Sequence, residues 1–515
     1  MSAIDRPSLA GRREWIGLGV LALPCLLYSM DLTVLNLAVP HLSADLEPSA
    51  TQLLWIVDIY GFLVAGSLIT MGTLGDRIGR RRLLLTGAIA FGAASMLAAF
   101  AFTAPMLIAA RAILGVASAT LAPSTLSLLR NMFLDPRERT VAVGVWIASF
   151  SAGGALGPLL GGLLLEHFWW GSVFLVNVPV MLLLLALGPR LLPEYRNPNP
   201  GRLDPISAAL SLIAVLAVIY GIKRIAEGEQ VWLAVATMVL GSAIGIVFVR
   251  RQRTLSDPLI DLSLFRSPAF TASLLINVLG FFVAFGTFLF IAQYLQLVLG
   301  LSPLQAGLWT APSGLAFIAG SMLAPVLARR MSPTRVIACG FAVAAAGFAV
   351  LTQIGRSHGP SVVVSAYVIL SLGLAPVFTM ATDVIVGLAP PERAGMAAAL
   401  SETSTEFGGA LGIAILGSIV TAVYRSVMAS TTPMGVSSAA AEAARDTLGA
   451  ATAIAASLPD STGAALLAAA RDAFTDAVVL TATVSATLVI VAAIVTAVGL
   501  RDVRSHASST GEATA

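Results

Sequence analysis

Runs of about 20 apolar residues recur along this chain, and each is long enough to cross a bilayer as a helix. In hydrocarbon a backbone N–H or C=O must find its partner inside the protein, so open runs of this kind fold as helices. Fourteen such spans read at roughly 15–39, 52–74, 83–102, 105–128, 141–165, 171–192, 204–223, 231–249, 268–292, 304–327, 334–354, 361–388, 395–423 and 477–500. Composition agrees: 57% of the 515 residues are hydrophobic and only 11% are charged, which no ordinary soluble domain tolerates. The expected fold class is all-α integral membrane.

An even number of spans puts both termini on one side, and the basic residues say which. Of the 30 basic residues, 23 fall in the loops and tails of one side, among them GDRIGRRR, RNMFLDPRER and ARRMSPTR. Both termini are therefore expected in the cytoplasm. The isoelectric point near 9.1 follows from this topology and does not indicate nucleic-acid binding. The first span is too long for a cleaved signal peptide and lacks a small-residue cleavage site. Cys25 and Cys339 both fall within spans, so no disulfide framework is expected. Residues 425–476 are too charged for lipid, and PDSTG at 459–463 divides them; an extracytoplasmic helical hairpin is expected there.

Several short patterns carry more than topology. After span two comes LGDRIGRRR, with Gly75, Asp76, Arg77, Gly79 and Arg80; its glycines allow a tight turn and Asp76 suits a helix N-terminus. A degenerate echo, LARRMSPTR, follows span ten. Span five reads GVWIASFSAGGALGPLLGG, with Gly153, Gly157, Gly161 and Gly162 for close helix contact and Pro158 for a bend. Span one ends in MDLTVLNLAVP, span four holds RAILGVASA, and WWGSVFLVNVP opens span six.

Together these patterns resemble the major facilitator superfamily, specifically its fourteen-helix drug:proton antiporter branch of multidrug and quaternary-ammonium exporters. LGDRIGRRR is similar to the superfamily's loop after span two, and span five to its antiporter motif. Trp55, Asp58 and Tyr60 match the branch's WxxDxY. Gly171 and Ser172 depart from its usual start of span six. The resemblance implies six plus two plus six helices. Residues 1–14 would be a cytoplasmic tail, 15–192 the first six-helix bundle, and 193–250 a linker with two extra helices. Residues 251–500 would be the second bundle, interrupted by the 425–476 hairpin, and 501–515 a second cytoplasmic tail. It also implies a monomer in the bacterial cytoplasmic (inner) membrane, driven by the proton gradient with no cofactor.

Charges inside the spans point to chemistry. They are Asp31, Asp58, Arg111, Asp383, Glu402 and Glu406. Each costs about 2.5–3.5 kcal/mol or more at a helix centre, so each is a functional candidate. Arg111 can neutralise one acid, and Asp383 lies near the cytoplasmic end, where a gate residue would sit. Glu402 and Glu406, four apart, share a helix face. Two carboxylates that close in a low dielectric are not both charged, so the site holds protons or a cation but not both. His41, His167, His358 and His506 all lie at span ends, in loops or in the tail, leaving carboxylates to carry protons. Tyr28, Trp55, Tyr60, Trp309 and Phe378 are candidate cavity aromatics, since ring faces attract lipophilic cations.

The expected function is proton-coupled efflux of lipophilic, mostly cationic drugs by alternating access, with drugs, protons and membrane lipids as partners. The alternative is export of an endogenous lipid or metabolite. Span five argues against a proton-symport importer. An enzyme is not expected: H-E-x-x-H, G-x-S-x-G and cysteine-histidine clusters are absent, and no metal site is read.

Overall fold

A computed structural model gives the architecture. It describes residues 9–499 except 47, 49, 197–203, 228–230, 257, 302, 356–358, 391, 392 and 434, and within the helices some side chains, those of Asp58 and Pro158 among them, also lie outside the description. The described chain is helical throughout. The first five spans are α1 (Arg12–Leu46), α2 (Ala50–Ile78), α3 (Arg80–Ala99), α4 (Ala104–Met132) and α5 (Pro136–His167). The sixth is a short α6 (Ser172–Leu175) running into α7 (Asn177–Leu191). The linker pair is α8 (Pro205–Glu227) and α9 (Val231–Gln252). Then come α10 (Pro268–Gln293), α11 (Pro303–Ala328), α12 (Pro333–Leu351), α13 (Pro360–Leu388) and α14 (Ala394–Thr431). Two short helices, α15 (Ser438–Asp446) and α16 (Leu448–Ser457), precede α17 (Asp460–Gly499). Thirteen stretches among the described residues are long and apolar enough to cross a membrane, and α1 occupies the expected first span.

Local chemistry sets the helix starts. Thr103 caps α4 by accepting from the Met106 amide, and Asp135 caps α5 through the Arg137 and Glu138 amides. Proline follows each of these caps, where its missing N–H costs nothing. Between α2 and α3 the chain turns at Gly79 with φ 113°, a left-handed conformation that suits glycine. Asp204 caps α8 and accepts from Arg251 at the end of α9, 2.7 Å away. The Arg251 guanidinium holds the Asp204 carboxyl below its ordinary range.

Packing falls into two groups of helices with the same internal pattern. In the first, α1 packs on α5, α2 on α4, and α3 on both α4 and α7. In the second, α10 packs on α14, α11 on α13, and α12 on both α13 and α17. The groups meet most extensively at α5 against α11 and α2 against α14, again as counterparts. This repetition is the relation expected of two parallel repeats about an axis along the membrane normal. Helices α8 and α9 pair with each other, and α8 lies against both α2 and α14.

Residues 425–476, expected as a hairpin, are shared among four pieces. They are the end of α14, the two short helices, and the first four to five turns of α17. Tyr424 ties them down by donating to the Ala444 carbonyl at 2.9 Å. Arg471 donates to the Leu297 carbonyl, also at 2.9 Å, in a π-helical turn (Tyr294–Val298) at the end of α10. A π-turn offsets the i→i−4 ladder and turns carbonyls outward.

Candidate functional site

The five intramembrane charges whose side chains are described separate into three groups in space. The first is closed. Asp31 on α1 and Arg111 on α4 form an ion pair at 2.7 Å, with both side chains almost wholly buried. The Arg111 guanidinium also donates to the Ile56 carbonyl at 3.1 Å and lies over the Tyr60 ring, 4.7 Å from its centroid. Tyr60 is fully buried and its hydroxyl pairs with Ser118 at 2.8 Å. Asn177, at the head of α7, stands 3.5 Å from the second Asp31 oxygen and 3.2 Å from Ser95. Thus Asp31, Arg111 and Tyr60 belong to one neutral cluster that ties α1, α2, α4 and α7 together.

The second group bridges the halves. Glu406 on α14 accepts a 2.9 Å hydrogen bond from the Tyr28 hydroxyl of α1. Glu402, one turn earlier, is buried and lies within electrostatic reach of Glu406. Among the described residues no hydrogen bond or ion pair reaches the Glu402 carboxylate. Tyr28 also packs edge-on to Phe150, which packs on Trp146.

Two features aim this pair. Asn277 on α10, fully buried, donates to the Ser401 carbonyl and to the Ser404 and Thr405 hydroxyls at 2.9–3.2 Å. Gly408 and Gly412 lie flush on α10, where an added methyl would overlap the Val278 and Phe282 carbonyls. Residues 406 and 408 differ by about 200° around the helix, so seating the glycines on α10 turns the acids away from it. Neither Asn277 nor the GGALG stretch was singled out as functional from the sequence. The signal was present: Gly153 of span five meets the Leu26 carbonyl of α1 in the same way.

The third group lies toward the arginine-rich side and clasps the halves. Asp383 on α13 accepts from Arg139 Nε and from the Thr140 hydroxyl, each at 2.8 Å. Sequence placed Arg139 in a loop; it stands instead in the first turn of α5, and it supplies the basic partner that the acid tally lacked. Nearby, Arg80 is fully buried and bonds to Asp76 at 2.8 Å and to the Gly72 carbonyl. Asp76 in turn accepts the backbone N–H groups of Gly395 and Met396, at the start of α14. Gly75 and Gly395 leave room for the Arg80 guanidinium, since a side chain on either would overlap it. The GDRIGRRR pattern is therefore a lock across the seam.

Other expected residues scatter. Trp55 is exposed and edge-packed on Phe62, on the face of α2 toward Tyr220 of α8. Trp309 is likewise exposed. Phe378 is buried in the second half, stacked on Phe281 at 4.0 Å, and is core packing there. In span five, Gly144 lies against the Ser321 carbonyl of α11, while a methyl on Gly162 would meet nothing. Gly157 and Gly161 are buried in α5. The side chains of Asp58 and Pro158 lie outside the described residues, and Arg77 makes contacts at the end of α2.

Comparison with known proteins agrees with this architecture. The sequence profile of the Major Facilitator Superfamily matches residues 21–413. The chain is 45% identical to the multidrug efflux pump LfrA of Mycolicibacterium smegmatis over 95% of its length and 97% of that protein's. It is 36% identical to the methyl viologen resistance protein SmvA of Salmonella typhimurium, covering 90% and 93%. Among solved structures, the human organic anion transporter MFSD10 superposes with a TM-score of 0.60 at 17% identity, over 92% of this chain and 99% of that one. A bacterial homologue of the lysosomal transporter Spinster, inward-facing and unoccupied, gives 0.56 at 18%, over 94% and 98%. At such identities these two speak for the fold.

Proposed function

The chain belongs to the Major Facilitator Superfamily, and from that premise we propose that it is a proton-coupled antiporter exporting lipophilic, mostly cationic compounds. It is a transporter and not an enzyme, a multi-pass protein of the bacterial inner membrane. Its relatives are named for multidrug efflux and for resistance to methyl viologen, itself an organic dication. That supports drug efflux as the cargo class here.

One observation carries the proton coupling. Asp31 has Arg111 and Asp383 has Arg139, whereas the buried Glu402 carboxylate, within electrostatic reach of Glu406, meets no hydrogen bond or ion pair among the described residues. A charge without a counter-ion in hydrocarbon is expensive, so this pair holds protons until a cation replaces them. The cation in turn leaves when protons return. Because Tyr28 hydrogen-bonds Glu406 across the halves, the charge on the pair acts on the contact that the halves must break to rock. The clasps at Asp76–Arg80 and Arg139–Asp383 hold the arginine-rich side, read as cytoplasmic, shut. Rocking the halves between that arrangement and its opposite is alternating access. One proton per monovalent cation would move no net charge; two would add about 2.3 kcal/mol per 100 mV.

The test is transport in liposomes. Purified protein is reconstituted and ethidium movement is followed under an imposed pH gradient. Gradient-driven ethidium transport that collapses with a protonophore is the expected result. Absence of transport for ethidium, benzalkonium and methyl viologen alike would overturn the cation reading in favour of an endogenous lipid or metabolite.

A further inference from the structure

Residues 253–267 lead from the linker pair into the second half, and the segment is fastened at two places. The first is Gln252, the last residue of α9, which is buried. Its Nε2 donates to the Ser207 hydroxyl in the first turn of α8 at 2.8 Å. Its Oε1 accepts the Leu259 amide at 2.7 Å and the Ile260 amide at 3.5 Å. Ser207 in turn donates to Asp204, which also holds Arg251. A buried amide with its bonds made fixes the geometry of what it touches. The segment therefore leaves α9 in one set position relative to both linker helices.

The second place is the start of α14. Asp261 forms an ion pair with Arg393, the N-cap residue of α14, and its backbone N–H donates to the Met396 sulfur at 3.1 Å. The Asp261 carboxylate also caps the 3-10 turn Leu262–Arg266 through the Ser263 amide. Between the two fastenings, Leu259 and Ile260 are buried in one apolar cluster with Ile69 of α2, Ile385 of α13 and Leu400 of α14. That cluster spans the seam between the halves.

Met396 is where the segment meets the lock. Its sulfur takes the Asp261 N–H, while its own backbone N–H, with that of Gly395, donates to Asp76 of α2. The N–H groups of a helix's first turn have no partner within the helix, so where they point depends on how that turn is held. Asp76 uses two of them, and the segment holds the same turn through Arg393 and Met396.

We propose that residues 253–267 are a strap through which the linker pair sets the lock. Gln252 and Asp261 are its positioning residues: they hold the first turn of α14 where Asp76 can bind it, and so set how often the arginine-rich side opens. The inference rests on the alternating-access reading and adds a control to it. Because α8 packs on both α2 and α14, rocking of the halves must shift the linker pair against at least one of them. The strap carries that shift to the lock.

The test reads opening at a distance from the strap. In a Cys339→Ala background, which leaves only buried Cys25, a reporter cysteine replaces Ala142, buried on α5. Fraying of the strap alone does not uncover α5; separation of the halves does. Labelling by a polar maleimide is timed on purified protein in micelles. Asp261→Asn keeps a cap for Ser263 and removes the charge, and Arg393→Gln removes the same ion pair from its other side. The Arg393 side chain is 42% exposed, so losing this pair leaves the fold intact, and labelling should rise about two- to fivefold for either variant. The double variant should rise no further. Gln252→Leu releases the strap from the linker and strands two buried amides, so a rise of about fivefold or more is expected. Ser207→Ala, which removes only the Nε2 acceptor, serves if Gln252→Leu folds poorly. Arg266→Gln, exposed on the strap, should change nothing.

Unchanged labelling in the folded ion-pair variants would overturn the strap, and so would additive effects in the double variant. A rise for those variants with none for the Gln252 or Ser207 variant would overturn it too, since the linker would then have no hold on the lock. Asp76→Asn separates this failure from that of the reading beneath it. If it raises labelling while the strap variants do not, only the strap fails; if it raises nothing, the lock and the alternating-access reading fall with it.

Discussion

Replacing Asp31 with asparagine should damage the fold before it damages proton coupling. The substitution keeps the shape and removes the charge, leaving the Arg111 guanidinium in a site where its side chain is 2% exposed. Breaking a buried ion pair from one side costs about 3–5 kcal/mol, because the remaining charge is stranded. Arg111 keeps the Ile56 carbonyl at 3.1 Å and the Tyr60 ring at 4.7 Å. Those contacts place the cost at the lower end, about 3 kcal/mol, or roughly a hundredfold in the folding equilibrium. Arg111→Met alone strands Asp31 and should cost at least as much. The double variant removes both charges and should cost less than the sum of the singles, with a coupling of about 2 kcal/mol. Reversible unfolding in mixed micelles, run on all four proteins, measures that cycle. Additivity within about 0.5 kcal/mol would refute the reasoning, since it would mean the two charges do not depend on each other.

Further outcomes follow from the other contacts. Asp383→Asn loses a charge-assisted bond to Arg139 worth about 1.5–3 kcal/mol, so the clasp should open about ten- to a hundredfold more often; thiol labelling of a reporter cysteine at Ala142, buried in α5, would rise accordingly and unchanged labelling would count against a clasp. Gly412→Val drives a side chain into the Phe282 carbonyl, so α14 should shift from α10 and the folded yield should fall at least severalfold, whereas Gly162→Val should be tolerated. Because the folded-state carboxyl of Asp204 is depressed by Arg251, its contribution is present above the unfolded value of about 4 and is lost as pH falls through the folded one. Protection of the amides of residues 206–208, taken as the exchange rate relative to the intrinsic rate at each pH, should therefore fall in wild type below about pH 4, and an Asp204→Asn variant should show that lower protection already at neutral pH.

Spans and the acid pair were legible because their signals are local. Apolar runs of fixed length, and Glu402 and Glu406 one turn apart, need no knowledge of the partner helix. What stayed hidden is which faces meet. Asp383 finds Arg139 at a separation of 244 residues, and Asn277 reaches Ser404 across 127. Periodicity says that a residue is on a helix, not what stands opposite. Trp55 illustrates the limit, for its place in WxxDxY suggests a cavity while its ring lies on the side of Phe62 and α8. Gly408 and Gly412 were visible as small residues, but their use became clear only beside the Val278 and Phe282 carbonyls.

The central claim is that cargo and protons compete for Glu402 and Glu406. Proton release on binding tests it most directly, without a membrane gradient. Purified protein in weakly buffered detergent, with a pH-sensitive dye, is mixed with ethidium near neutral pH. The account predicts release from wild type of about one proton per bound cation or more, and none from the Glu402→Gln, Glu406→Gln double variant. Equal release from both proteins, or tight ethidium binding to wild type with no release, would contradict it.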